Sequence, residues 1–354
     1  MTEVVRFGVV GTGAMARTMV RAMQRRADVR PVAVASGDET RARTFAAALG
    51  LASAGADVET LVARSDVDAL YVASRNRDHA RAVDAAIRSG KPVLVEKPLT
   101  PDLERTQALL AAAEGSGVLL VENLWTLLLP AYRALAEQAR SGRLGDPVHF
   151  RFEFGYPLDP ATARTLLDPR DGGVLLDRAI YGVAAAIWLC GPVEMVQAEV
   201  QRDRVGGVDL TAAIRLRHAS GVRSETVASF SALLSNSARL SCTRGAATLD
   251  APVLPGEWLR TEFHHDGSGG SAGAPSFLKE RLRSMPVVRR LRRALSGPRS
   301  RFCSFGPDPY GPILEHFSGL VRRGARQSEV LPPALSRSVH EVLARAAGRP
   351  AQGS

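Results

Sequence analysis

The segment Phe7-Gly-Val-Val-Gly-Thr-Gly-Ala-Met-Ala16 decides the fold of this chain of 354 residues. An apolar run enters a glycine-rich turn and a helix-forming stretch follows, which is the setting of a dinucleotide-binding turn. Gly11 permits the tight turn, and Gly13 lets main-chain amides approach a pyrophosphate at the helix N-terminus. The sequence therefore predicts cofactor contacts at Gly11, Gly13, Ala14 and Met15.

Similar apolar runs recur along the first 120 residues and alternate with segments of helix-forming composition. The predicted strands are 7–10, 32–35, 70–73, 93–95 and 118–121, and the predicted helices are 14–25, 40–49, 79–89 and 103–114. Strands that are apolar along their whole length are buried on both faces, as in a parallel sheet between two layers of helices. We therefore predict an α/β fold in which residues 1–123 form a doubly wound Rossmann domain.

The period of the pattern changes to two after Pro147, where Val148, Phe150, Phe152 and Phe154 alternate with more polar residues. Such a strand has one apolar and one polar face, which is typical of an antiparallel sheet with one solvated face. Further strands are predicted at 194–201, 210–217, 222–230 and 238–243, with one helix over 173–189 and helical patterning in 309–347. We predict a C-terminal α+β domain over 124–347 with an open, mainly antiparallel sheet, and a disordered tail at 348–354.

Residues 264–306 are first rich in glycine and serine and then rich in arginine, so we predict an insertion outside both cores. Between Lys279 and Arg301, nine basic residues face the single Glu280, and this segment accounts for +8 of the net charge of +10. Apolar residues at helical spacing leave two interpretations of 277–301. It is either a basic amphipathic segment that contacts a membrane or an acidic partner, or an ordinary solvated loop. With no recognised motif beside it, we expect no nucleic-acid partner.

Several classes of protein are excluded by composition. No apolar run reaches the length of a membrane span, and no signal peptide precedes the first strand, so we expect a cytoplasmic protein. Cys190, Cys242 and Cys303 lie far apart and lack metal-ligand spacing, which favours reduced thiols. His264 and His265 lie in a Gly/Ser-rich stretch without further ligands, and we expect no metal.

The residues after the second strand bear on the choice of cofactor. A carboxylate at the end of that strand would bind the ribose 2′-hydroxyl of NAD, but Ser36 occupies this place. Asp38 is expected to cap the next helix. Arg41, in the first helical turn, opposes the helix dipole and calls for an anion such as a 2′-phosphate. Ser36 and Arg41 therefore favour NADP over NAD, the alternative being that Arg41 is only a surface charge.

Two segments carry candidate catalytic residues. Lys97 ends a buried strand, at the sheet edge where doubly wound folds bind ligands, and its ammonium would lower the pKa of a neighbouring hydroxyl. The chain has only three lysines among 46 basic residues, which argues against a lysine that merely extends to solvent. Asp177 and Tyr181 are four residues apart and share one helix face. The alternative is a core tyrosine and a surface aspartate.

These motifs resemble those of the Gfo/Idh/MocA family, the glucose-fructose oxidoreductases and inositol dehydrogenases. The similarity covers residues 4–255 and 307–345 and includes Asn76 to His79, Glu96-Lys-Pro98 and Gly172-Gly-Val-Leu-Leu-Asp177-Arg-Ala-Ile-Tyr181. Glu122-Asn-Leu-Trp125 is similar to the segment in the dihydrodiol dehydrogenase and NADP-dependent xylose dehydrogenase members.

The resemblance implies hydride transfer between NADP(H) and a sugar, polyol or cyclic alcohol or ketone. In this reaction Tyr181 is the general acid or base, Lys97 activates it and Asp177 orients the substrate. The resemblance also implies a substrate contact at Trp125 and a homo-oligomer, dimer or tetramer, formed through the C-terminal sheet. Further cofactor contacts are implied at Ser74, Asn76, His79, Glu96 and Lys97.

Departures from the family pattern leave the substrate open. Arg75 replaces a frequent proline, Leu127 replaces an arginine of the dehydrogenase members, and Arg178-Ala179 replaces leucine and glycine. The alternative function is an NDP-sugar ketoreductase, because Glu122-Asn also resembles that branch. Two further alternatives are a non-redox glycosidase that uses the nicotinamide for internal oxidation and a dinucleotide-binding protein without catalytic activity.

Overall fold

The computed structural model describes residues 3–204, 207–264 and 299–348. Their first sheet contains β1 (Val5–Val10), β2 (Val29–Ala35), β3 (Ser53–Gly55), β4 (Ala69–Val72), β5 (Val93–Val95) and β6 (Leu120–Glu122). The strands pair in parallel in the order β3-β2-β1-β4-β5-β6, which confirms the predicted Rossmann sheet. The strand order reverses between β1 and β4, and ligands bind at such a point, beyond the carboxyl ends of the strands.

Helices cover both faces of this sheet. They are α1 (Ala14–Gln24), α2 (Glu39–Leu49), α3 (Val58–Val62), α4 (His79–Arg88) and α5 (Leu103–Ser116). The predicted cap of α2 is confirmed, because the Asp38 carboxylate accepts a hydrogen bond from the Arg41 amide at 3.0 Å. The sequence did not indicate β3 and α3, since Ser53-Ala-Gly55 is too short and too polar to stand out as a strand.

The second sheet contains eight strands in the described part of the chain. They are β7 (Pro147–Gly155), β8 (Val193–Arg202), β9 (Asp209–His218), β10 (Arg223–Ser229), β11 (Ala238–Cys242), β12 (Gly245–Leu249), β13 (Trp258–Phe263) and β14 (Arg299–Phe302). Their order is β14-β13-β12-β11-β7-β10-β9-β8, and only the β7–β10 pair is parallel, which confirms the mainly antiparallel sheet. Phe150 and Phe152 are fully buried on the inner face, whereas Val148 is exposed.

The predicted insertion at 264–306 extends too far towards the C-terminus. Arg299–Phe302 is a strand that pairs with β13, and the following Cys303 is buried. The arginines of this strand hid its pairing, because an edge strand can be exposed and charged. Residues 265–298, with His265 and most of the amphipathic segment predicted at 277–301, lie outside the described residues, as do 349–354 of the predicted tail.

The helix predicted over 173–189 is interrupted by a change of pitch. Leu175–Ala179 form a π-helical turn, and α7 (Ile180–Cys190) continues from it. Gly182 brings α7 close to the sheet, since a Cβ at this position would lie 2.5 Å from the Thr226 side chain. A further helix, α6 (Pro130–Arg140), was not predicted.

The C-terminal helical patterning is confirmed as α8 (Gly311–Arg322) and α9 (Pro333–Ala346). Although α8 follows the second sheet in the chain, it packs on α1 and β1, where the rings of Phe317 and Phe7 are 5.8 Å apart. Helix α9 packs on α5 and α7, and its His340 Nε2 lies 2.9 Å from Glu122 Oε1. The C-terminal segment therefore joins the two sheets. No helix in the described ranges is long and apolar enough to cross a membrane.

Candidate active site

The glycine-rich turn leaves the N-terminus of α1 open. Gly11 has φ +111°, and a Cβ there would lie 2.4 Å from the carbonyl oxygen of Ala73, so the turn requires glycine. Gly13 precedes α1 without a side-chain cap, and the space around its Cβ position is empty. Gly13 and Ala14 are exposed, while Met15 is partly buried. Open first-turn amides beside an uncapped helix end fit a diphosphate group.

The residues proposed to bind the adenosine part of the cofactor lie at the start of α2. Ser36 follows β2, and its amide donates to the Gly55 carbonyl at 3.2 Å. The Arg41 side chain is 66% exposed, and its Nε lies 3.5 Å from Asp38 Oδ2. At this exposure an ion pair contributes about 0–1 kcal/mol and leaves the cation accessible to an anionic ligand.

The predicted contacts after β4 have different surroundings. Ser74 Oγ is buried without a hydrogen-bond partner among the described residues, and an orphaned hydroxyl next to the glycine turn fits a polar ligand. Asn76 Nδ2 donates to the Asp171 carbonyl at 2.5 Å and so joins the first sheet to the loop before the π turn. His79 is fully buried, with Nδ1 3.0 Å from the Pro98 carbonyl and Nε2 3.3 Å from that of Ser74. His79 therefore supports the loop that carries Lys97.

Glu96 lies behind Lys97 and faces the interior. Its Oε1 accepts hydrogen bonds from the Tyr71 hydroxyl at 2.6 Å and from Asn123 Nδ2 at 2.7 Å. Burial raises the pKa of Glu96, although these two hydrogen bonds oppose the shift. The Glu96 carboxylate thus fixes the end of β5 against neighbouring strands, an arrangement that sequence reasoning missed.

Lys97 and Asp177 form an ion pair inside the site. Lys97 Nζ donates to Asp177 Oδ1 at 2.7 Å and to the main-chain oxygen of Asp177 at 2.8 Å. The side chains are 12% and 26% exposed, respectively. Burial lowers the pKa of Lys97, but the charge and hydrogen bond of Asp177, together with Tyr181 and Glu96, outweigh this and the net pKa is raised, so Lys97 is a cation at neutral pH. Asp177 lies in the π turn, and such turns are frequent at functional sites.

Tyr181 lies against the same ammonium, one turn further along the helix. Lys97 Nζ is 5.0 Å from the centroid of the Tyr181 ring, and the Trp125 indole N–H donates to the Tyr181 hydroxyl at 3.2 Å. Burial raises the pKa of Tyr181 to about 12, although the Lys97 ammonium and the Trp125 hydrogen bond both lower it. The expected convergence of Lys97 and Tyr181 is present. In this structure, however, burial outweighs the activation of the phenol.

Aromatic rings surround Tyr181, and two of them were missed from the sequence. The Tyr310 ring lies 4.9 Å from that of Trp125, and the Phe154 ring lies 6.4 Å from that of Tyr181. Tyr310 precedes α8, and nothing in its local sequence signals a place in the site. Phe154 could have been found from the sequence, because it continues the alternation of the buried Phe150 and Phe152 to the end of β7.

The departures from the family pattern have separate environments. Leu127 is a fully buried core residue. Arg75 is half exposed, and its Nη1 lies 4.0 Å from Asp171 Oδ2. Arg178 is 1% exposed, although it is charged. Its guanidinium lies 3.8 Å from the centroid of the Tyr156 ring, and its Nε lies 3.9 Å from Asp177 Oδ2.

Comparison with known sequences covers both halves of the chain. Residues 5–124 match the Gfo/Idh/MocA oxidoreductase family with an NAD-binding Rossmann fold, and residues 132–248 match the Gfo/Idh/MocA C-terminal domain. The chain belongs to the Gfo/Idh/MocA family. The assignment made from the motifs is thereby confirmed, and with it the oxidoreductase class.

Curated relatives include two kinds of enzyme. The trans-1,2-dihydrobenzene-1,2-diol dehydrogenase of Oryctolagus cuniculus is 30% identical over 95% of this chain and 95% of its own length. The dTDP-3,4-didehydro-2,6-dideoxy-alpha-D-glucose 3-reductase of Streptomyces antibioticus is 33% identical over 73% of this chain and 80% of its own length.

A solved structure shares the fold. KijD10, a 3-ketoreductase from Actinomadura kijaniata crystallised with NADP and TDP-benzene, superposes with a TM-score of 0.79 at 24% identity and covers 97% of both chains. This agreement extends the fold assignment beyond the residues that the two family models match, to the C-terminal helices α8 and α9.

Proposed function

We propose that this oxidoreductase transfers hydride between NADP(H) and the carbinol or carbonyl carbon of a sugar, polyol or cyclic alcohol or ketone. The proposal depends on one observation, the Lys97 ammonium bonded to Asp177 at 2.7 Å and lying 5.0 Å from the ring of Tyr181. Cation, carboxylate and phenol meet at the edge of the first sheet where doubly wound folds bind ligands.

The nicotinamide, when bound, supplies or accepts the hydride. The open amides of Gly13, Ala14 and Met15 would hold the diphosphate, and Ser36 with Arg41 would hold the 2′-phosphate of the adenosine. The exposed Arg41 cation, the hydroxyl in place of an acidic residue at position 36 and a structural neighbour crystallised with NADP support NADP over NAD.

Tyr181 is the proton donor in the direction of carbonyl reduction. With a pKa of about 12 its hydroxyl is protonated at neutral pH, so it has a proton to give to the substrate oxygen as hydride arrives at carbon. Lys97 and the Trp125 N–H stabilise the phenolate that remains, and Asp177 orients the substrate hydroxyl. In alcohol oxidation the same groups act in reverse, and the phenol must first lose its proton.

An NDP-sugar 3-ketoreductase is the second candidate. It is supported by 33% identity to the dTDP-sugar 3-reductase of Streptomyces antibioticus over 73% of this chain and by the resemblance of Glu122-Asn to that branch. Both candidates use the same catalytic groups and differ in the part of the substrate that does not react, which carries a nucleoside diphosphate in the second.

The test is a screen that follows NADPH oxidation and NADP reduction. The probes are keto-sugars, dTDP-keto-sugars, aldoses and trans-dihydrodiols, each with the wild type, Lys97→Met and Lys91→Met. Lys91 lies just before the opposite end of β5, where its Nζ donates to the Arg64 carbonyl at 3.1 Å, and it serves as the matched control. Turnover that disappears in Lys97→Met but persists in Lys91→Met supports the proposal. Equal turnover in the two variants contradicts it.

We further propose a homo-oligomer that forms through the second sheet and works in the cytoplasm. Trp258 and Phe302 are about half exposed, and their rings lie 5.1 Å apart on β13 and on the neighbouring edge strand β14, which supports burial of this edge region by another copy. Cys190, Cys242 and Cys303 are free thiols, which supports a reducing compartment. Analytical ultracentrifugation of the wild type and of Trp258→Glu tests the assembly, and fractionation of the native cells tests the location.

A further inference from the structure

Arg178 is a charged residue that the proposed reaction does not use. Its guanidinium packs on three aromatic rings, at 3.8 Å from the centroid of Tyr156, 4.7 Å from that of Phe230 and 5.3 Å from that of Phe154. Nη1 donates to the carbonyl oxygen of Tyr156 at 2.7 Å and also to that of Ser229. A cation held this deeply needs an anion or a full set of hydrogen bonds.

That set of hydrogen bonds is incomplete. Arg178 Nε is buried and has no hydrogen-bond partner among the described residues. Asp177 Oδ2 lies 3.9 Å away, which is too far for a hydrogen bond. The other oxygen of the same carboxylate accepts from Lys97 Nζ at 2.7 Å. One carboxylate therefore lies between two buried cations and is hydrogen-bonded to only one of them.

We propose that Arg178 is a positioning residue that takes over the Asp177 carboxylate when a substrate oxygen engages Lys97. The inference rests on the proposed hydride transfer. A substrate oxygen that approaches Lys97 competes with Asp177 for the ammonium protons, and a displaced carboxylate in this enclosed site needs a new partner. A movement of about 1 Å brings Oδ2 to an ordinary hydrogen-bond distance of about 2.9 Å from Arg178 Nε.

The exchange leaves the charge of the site unchanged, since the carboxylate passes from one cation to another. It gives Arg178 Nε a hydrogen-bond acceptor and frees the Lys97 ammonium for the reacting oxygen and for Tyr181. Two main-chain oxygens and three aromatic rings hold the Arg178 guanidinium in place, so it is available as the second partner of the carboxylate.

A crystal structure of Lys97→Met tests the second partner without any substrate. Once the ammonium is removed, Asp177 should turn so that Oδ2 and Arg178 Nε are about 2.9 Å apart. A carboxylate that points elsewhere, with Nε still unpaired, overturns the proposal. Because this experiment needs no turnover, its result stands apart from any failure of the proposed reaction.

A double-mutant cycle tests the role in catalysis, with the substrate found in the screen described above. Arg178→Met should lower kcat about tenfold with NADPH affinity unchanged, and the same substitution in the Asp177→Asn background should change kcat by less than twofold. A tenfold loss in both backgrounds would mean that Arg178 only supports the Tyr156 and Ser229 main chain, and the proposal is then wrong.

Arg178→Lys keeps the test decisive if Arg178→Met does not fold. Lysine retains a cation that can reach Asp177, so kcat should remain within about threefold of wild type. A loss of tenfold or more in folded Arg178→Lys that persists beside Asp177→Asn contradicts the proposal. Fluorescence titration with NADPH measures cofactor binding in the same variants, and a loss of NADPH affinity would contradict a role of Arg178 that is confined to Asp177. Failure of the wild type to bind NADPH would instead count against the proposed function.

Discussion

The proposed nucleotide half of the site (Gly11, Gly13, Ala14, Ser36 and Arg41) offers a cofactor mainly main-chain groups, whereas the proposed chemical half (Lys97, Trp125, Asp177 and Tyr181) is built from side chains. The first depends on a glycine at φ +111° and on an uncapped helix end, which a short continuous motif specifies. The second depends on residues from the segments after β5 and after β6 and from the π turn with α7, which only packing brings together. Substitutions in the first half should therefore change binding, and those in the second should change the rate.

Tyr181→Phe should give the largest effect, and this effect should be on kcat and not on cofactor binding. Loss of the proton donor should lower kcat about 1000-fold, since general acid–base catalysis contributes roughly 10²–10⁴-fold. The NADPH dissociation constant should stay within twofold, because the ring and its contacts remain. Steady-state kinetics and fluorescence titration measure the two quantities. A variant that turns over at the wild-type rate would remove Tyr181 from the chemical half.

The rate of alcohol oxidation should rise by about a hundredfold between pH 7 and pH 9. The phenol has a pKa of about 12, so its deprotonated fraction grows tenfold for each pH unit over this range. Carbonyl reduction uses the protonated phenol and should be flat over the same interval. Single-turnover rates in both directions measure this. An oxidation rate that levels off near pH 7 would show that Lys97 activates the phenol more strongly than burial opposes it.

Arg41→Ser should weaken the binding of NADPH without changing the catalytic groups. Loss of the cation should weaken NADPH binding about tenfold, in keeping with a charge-assisted hydrogen bond at an exposed position. NADH binding should not change, and Arg43→Ser on the same helix is the matched control because its guanidinium pairs with Glu39 at 2.6 Å. Equal weakening of both cofactors would instead indicate a general effect on α2.

Asp38→Ala should give the smallest effect, on stability alone. The Asp38 carboxylate caps α2 through the Arg41 amide at 3.0 Å, and loss of such a cap costs about 1 kcal/mol of unfolding free energy. Urea denaturation followed by circular dichroism measures the loss. Glu39→Ala, one position later, lacks this hydrogen bond and should cost less. A larger loss at Glu39 would contradict the assignment of the cap.

The sequence named every residue of the proposed nucleotide half, but only part of the side-chain cluster that the structure shows around Tyr181. Lys97, Asp177 and Tyr181 could be found because each stands at a recognisable place, a strand end or one face of a helix. The positions of Tyr310 and Arg178 could not be found in this way, because they depend on contacts with residues distant in the chain, such as Trp125 and Phe230. Periodicity predicts which face of an element is buried, but it does not predict which element covers it.

The same limit explains the errors in the fold. The π turn at Leu175–Ala179 adds no change of composition, so a continuous helix was the natural interpretation. Strand β14 is rich in arginine and lies at an edge of the sheet. All its residues are exposed, so its sequence shows no alternation of apolar and polar positions. In contrast, the end of β1 and both ends of α1 were predicted to within one residue, because a buried apolar strand and a glycine turn leave strong local signals.

The position of α8 on the first sheet has a consequence for how the protein reaches its native state. Phe7 belongs to the first strand, yet part of its covering is Phe317, about 300 residues later, and the Ser318 hydroxyl donates to Asp28 at 3.1 Å. A nascent chain that emerges from the ribosome therefore holds an incomplete first domain until α8 has been translated. Premature termination before α8 should leave an aggregation-prone fragment rather than a smaller working protein.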